Sequence, residues 1–144
     1  MDPRSAYDEI AGVASRYNEL VQSGDWNAVG EWFVDYWNAS GTWAAMPDER
    51  KQSMFAMLPA VVHEWSMAMT GTQQLEGWSA ITSPVHLIQA SDTRPPTREI
   101  VNLLAKTYPS WHVHEVSSGG HMAPLTRPDL VNPLIAAALD ETNH

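Results

Sequence analysis

Two short apolar runs in the second half of the chain, residues 84–90 and 111–116, constrain the fold more than any other feature. Each has the length of a strand and is bounded by turn-forming residues. Between them, residues 97–107 carry Ile100, Val101, Leu103 and Leu104 at helical spacing. A strand, a helix and a second strand joined in this way predict a parallel pair with a right-handed crossover. A further helix is predicted over 128–139, with Leu130, Val131, Leu134 and Ile135 inward, so the unit reads as βαβα. Parallel sheets are normally covered on both faces and extended at their edges. Something beyond these two strands is therefore expected to complete the sheet.

The first half has a different period. Asp2 and Pro3 read as a helix cap and first residue. Ile10, Val13, Tyr17, Leu20 and Val21 then recur at helical spacing up to Gly24. Asp25 is expected to cap a second helix, with Val29, Trp32, Phe33, Tyr36 and Trp37 as its apolar stripe. A third helix is expected to begin at Pro47-Asp48-Glu49 and to be kinked or split at Pro59, which lacks a backbone donor. The organisation that follows is a helical region over 1–78 and a βαβα segment over 79–144. The expected class is α/β, with a parallel sheet left incomplete in this chain.

Composition narrows the chemistry. Eight basic and 17 acidic residues among 144 give a net charge of −9, which argues against nucleic acid and anionic membrane as partners. Cysteine is absent, excluding thiol catalysis, thiolate metal ligands and disulfides. Met1-Asp2-Pro3-Arg4 leads into an amphipathic run rather than a secretory signal, and no stretch reaches the roughly 20 apolar residues of a membrane span. A cytoplasmic protein is the expectation.

Asp92 follows the first predicted strand. The second is followed by Ser118-Gly119-Gly120-His121-Met122-Ala123-Pro124. Both loops fall at the carboxyl ends of parallel strands, where α/β sheets place ligands and catalytic groups. A carboxylate beside an imidazole fixes its tautomer and stabilises its charged form. Asp92 and His121 thus read as an orienter and a base without a nucleophile. The plainer alternatives are a turn-forming aspartate and a structural loop histidine.

These residues resemble the carboxyl-terminal half of an α/β-hydrolase. Residues 83–96 are similar to that family's late strand and acid loop. Gly119-Gly120-His121-Met122-Ala123-Pro124 is similar to its histidine loop, and Arg127-Pro128-Asp129-Leu130-Val131 to the helix that follows. The helical first half resembles the lid or cap, and its run from Gly24-Asp25-Trp26 to Gly41-Thr42-Trp43 is similar to a common cap pattern. The likeness spans nearly the whole chain, with two departures. Ala90 stands where the family usually has glycine, in an acid loop one residue short. The Gly-x-Ser-x-Gly nucleophile elbow, which belongs on a strand-to-helix turn, is missing. Its nearest match, Gly77-Trp78-Ser79-Ala80-Ile81, lacks the second glycine and precedes a strand.

The resemblance implies a serine-type hydrolase of ester or related acyl substrates, working through a covalent intermediate without a cofactor. His121 would be the base and Asp92 its orienter. The serine and oxyanion hole would come from a partner chain supplying the missing strands. The alternatives are an inactive, truncated relative that pairs with a second copy of itself for ligand binding or interaction, and a fragment of a larger enzyme. A hydrophobic small molecule is the expected substrate, with Trp37, Trp43, Met54, Trp65, Met69 and Met122 as candidate contacts; for the helical residues the alternative is ordinary packing. His112 and His114 share a strand face, but no third ligand is in view, so no metal site is expected. His63-Glu64 lacks the second helical histidine of a zinc-protease motif, and His86 reads as a core or edge position.

Overall fold

The computed structural model describes residues 3–71 and 74–141. The chain divides into two compact units, 2–72 and 73–144.

The first unit is helical: α1 (Pro3–Ser23), α2 (Trp26–Trp37), α3 (Thr42–Ala45) and α4 (Asp48–Thr70). Gly24, at a φ of 75° open to glycine, ends α1. Asp25 caps α2, its Oδ1 accepting the Ala28 N–H at 3.0 Å. The expected cap of α1 at Asp2 lies outside the described residues. The short α3 was not anticipated; the Asp35 carboxylate builds it by accepting the N–H groups of Gly41 (2.7 Å) and Trp43 (2.8 Å).

Val13, Ala14, Tyr17, Val29, Leu58 and Trp65 form the core of this unit. Of the kink or split expected at Pro59, the split is corrected: α4 runs on from Asp48 to Thr70 with Pro59 inside it. Leu58 and Trp65, on either side of the proline, are buried, and the Tyr17 hydroxyl donates to the Leu58 carbonyl at 2.6 Å. Packing against α1 and α2 outweighs the lost backbone bond.

The second unit begins with a 3₁₀ turn, Leu75–Ala80, and continues through β1 (His86–Ala90), α5 (Pro95–Thr107) and β2 (His112–Val116). A 3₁₀ turn over Gly120–Met122 then leads to α6 (Ala123–Thr126) and α7 (Pro128–Glu141). Pro95 and Pro128 open their helices, where a missing N–H costs little. β1 and β2 pair in parallel, His86 opposite His112 through to Ala90 opposite Val116. The chain is therefore a mixed α/β protein, mostly helical, with a two-stranded parallel sheet among its described residues. Alternation puts Ile88, Ala90 and Val116 on one face, where Ala123, Leu130, Val131 and Leu134 pack. The other face carries Leu87, Gln89, Val113 and Glu115, and Val113 remains 43% exposed. The Leu75–Ala80 turn is held by Tyr108, whose hydroxyl donates to the Leu75 carbonyl, and by Trp111, whose ring lies 6.4 Å from that of Trp78.

Candidate functional site

Ala90 and Val116, both buried, end the two strands side by side. The chain leaves the sheet from each at once, and the two loops are bonded to each other. The Ser91 N–H donates to the Val116 carbonyl at 2.8 Å, and the Ser91 hydroxyl to the Ser117 carbonyl at 2.7 Å.

The Asp92 carboxylate reaches across to the histidine loop. It accepts the Gly119 N–H at 3.2 Å and the Gly120 N–H at 2.8 Å. Both glycines have positive φ, 117° and 56°. Two successive amides turned in this way form a concave nest for an anion, here a side chain of the same protein. Gly119 is required for a second reason: a Cβ there would lie 2.8 Å from both Cα and Cβ of Ala123. His121, exposed, follows inside the Gly120–Met122 turn, and Met122 is half-buried beside it.

The back of the loop is tied as well. The Thr126 hydroxyl lies within donating distance of the carbonyls of Gly119 (3.3 Å) and Met122 (3.2 Å). Arg127 donates to the Ser118 hydroxyl and grips the Asp129 carboxylate with two bonds, at 3.0 and 2.8 Å. Arg127 and the glycine amides were not identified as site groups from sequence. A Gly-Gly pair ahead of a histidine was the only signal of the nest.

The Gly120 N–H, foremost, holds the Asp92 carboxyl below its ordinary value; Gly119 and the positive charge of Arg98 add to this, against the opposing effect of desolvation. Asp92 is thus a carboxylate, and an acceptor only, at neutral pH. It positions the His121 loop through the backbone.

The candidate contacts in the helical unit lie in its packing. Trp43 is buried; its indole N–H donates to Asn27 Oδ1 at 3.0 Å and its ring meets Phe55 edge-on at 5.6 Å. A Cβ on Gly30 would come within 2.4 Å of that ring. Trp37 stacks on Trp65 at 6.5 Å, and Met54 and Met69 pack against the core. Ser79, of the nearest elbow-like segment, sits in the 3₁₀ turn before β1 and donates to the Glu76 carbonyl at 2.7 Å. That is not the strand-to-helix turn a nucleophile elbow needs.

No helix among the described residues is long and apolar enough to cross a membrane. No family model matches the chain, and neither do curated proteins or solved structures.

Proposed function

We propose that this chain carries the acid and histidine loops of a serine-type hydrolase acting on esters or related acyl compounds, on an α/β-hydrolase-like sheet. The observation that carries the reading is the Asp92 carboxylate seated on the Gly119 and Gly120 amides. It joins the two strand-end loops and holds His121 exposed at the carboxyl end of the sheet.

In this reading the nucleophilic serine and the oxyanion donors lie on polypeptide outside this sequence, which also extends the sheet. His121 takes the serine proton as the oxygen attacks the substrate carbonyl. It returns that proton to the departing alcohol as the tetrahedral intermediate collapses to an acyl-serine. Water, deprotonated by the same imidazole, then releases the acid and restores the serine. Asp92 acts as a positioning residue. The helical unit is the cap, and Met122 is the apolar residue nearest His121 in sequence for a hydrophobic substrate.

The test is to co-express the chain with the polypeptide encoded immediately upstream and assay p-nitrophenyl ester hydrolysis. Activity lost in His121→Ala supports the reading; no activity above buffer overturns it.

A second reading is favoured by Val113, 43% exposed on the sheet face opposite Ala90 and Val116, and by Ile100 and Leu103, exposed on α5. Here a second copy of the chain covers the sheet and the dimer serves in binding. Light scattering decides it: a dimer at micromolar concentration is expected, and a stable monomer contradicts it.

A further inference from the structure

The end of the sheet away from Asp92 carries a second group of polar side chains. The parallel register sets His86 opposite His112 and Ile88 opposite His114. All four side chains therefore share one face. The His86 ring stacks on His112, with centroids 4.7 Å apart, and meets His114 edge to edge with nearly parallel ring planes, centroids 5.3 Å apart. The last turn of α7 adds Glu141, whose Oε2 lies 3.4 Å from His86 Nε2. Sequence spacing showed the pair on β2 but no third ligand. The fold supplies two, because α7 continues to Glu141 and because β1 is in register with β2.

Three observations point to a cation. First, one ligand atom each from His86, His112 and Glu141 lie within 4.8 Å of one another. The edge of a tetrahedron built on zinc bonds to nitrogen and oxygen is roughly 3.4 Å, the separation already found between His86 and Glu141. His112 and Glu141 are exposed, so their side chains can close the remaining gap. Second, the His86 side chain is 10% exposed, and its Nε2 is buried without a hydrogen-bond partner. The Glu141 oxygen stands at ion-pair distance from it but outside hydrogen-bond geometry. A buried polar atom left in this state is costly, and a ligand satisfies it. Third, His86 Nδ1 is 3.0 Å from His114 Nε2. With Nδ1–H as the donor of that bond, Nε2 presents its lone pair toward Glu141. A metal-binding histidine is usually fixed in this manner, its second nitrogen donating to a neighbour.

We propose that His86, His112 and Glu141 form a site for a divalent transition ion of the zinc class. Two imidazoles and one carboxylate suit such an ion and leave its fourth position to water. The site ties the last turn of α7 to both strands, so loading it stabilises the second unit. It is separate from the Asp92–His121 loops and stands independently of their proposed role.

The experiment is calorimetric titration of the full, untagged and chelator-treated chain with Zn²⁺, paired with thermal melts. One ion per chain and a melting temperature raised by Zn²⁺ are expected. His112→Ala and Glu141→Gln change exposed residues, and circular dichroism checks that each folds. Each is expected to weaken binding about tenfold or more and to lose the thermal shift, while His63→Ala in the helical unit binds as wild type does. The absence of saturable binding, or binding unchanged in both site variants, overturns the proposal.

Discussion

Asp92 shows how an exposed side chain can organise a loop. Its two bonds from Gly119 and Gly120 are charge-assisted, and they hold a turn that only glycine enters cheaply. Asp92→Ala is expected to destabilise the protein by about 1 kcal/mol, a value kept small by solvent exposure, as urea denaturation at pH 7 would show. The folded carboxyl is depressed below its ordinary 3.8. Its contribution is therefore complete above that value and is lost as pH falls through the depressed one. The difference between wild type and Asp92→Ala should accordingly be constant near neutrality and close below pH 3.8. A gap that widens in acid would contradict the assignment. Gly119→Ala meets both the positive φ and the backbone of Ala123. A loss of about 2 kcal/mol is expected, measurable by the same titration, and it should exceed that of Gly120→Ala, whose Cβ would meet nothing within 4 Å.

Among the elements, α4 depends most on its neighbours. Pro59 removes a donor from its middle, and the hydroxyl of Tyr17, fully buried on α1, reaches the Leu58 carbonyl one residue away. Burial, with a smaller contribution from the negative charge of Glu64, pushes the Tyr17 hydroxyl up to about 12 from an ordinary 10.0. Its stabilising effect is therefore whole below 10.0 and lost as pH rises toward about 12. Tyr17→Phe should cost about 1 kcal/mol at pH 7. It should also abolish this part of the alkaline decline, which denaturation curves at neutral and high pH would detect.

The same element shows where sequence reasoning reached its limit. Helix ends were readable because their signals are local: Gly24, Asp25 and Pro95 each act within a turn. The run through Pro59 was not, because it is held by the packing of Leu58 and Trp65 with residues of α1 and α2 that are remote in sequence. α3 was missed for a related reason, since it rests on Asp35 bonding forward to Gly41 and Trp43. The two strands and the positions of Asp92 and His121 at their ends followed from apolar runs and turn residues. The meeting of His86 with Glu141 could not be read, since it requires strand register and the full length of α7 together.

At the scale of the molecule, the two units rest on different resources. The helical unit has its own aromatic core, whereas the second has a small cluster around Ala90, Val116, Ala123 and Val131 on one face of two strands. A two-stranded parallel pair whose outer edges are unpaired among the described residues is the part of a fold that normally has neighbours. In the proposed reading, the unpaired edges and the strand-end loops share one explanation: further strands, bearing the serine, would complete both the sheet and the site. The direct test is steady-state ester hydrolysis by the chain co-expressed with the polypeptide encoded upstream, for wild type and for His121→Ala. Turnover by the wild-type complex and a fall of about a thousandfold or more in the variant are expected; no turnover, or turnover indifferent to His121, would rule out the proposed hydrolase role.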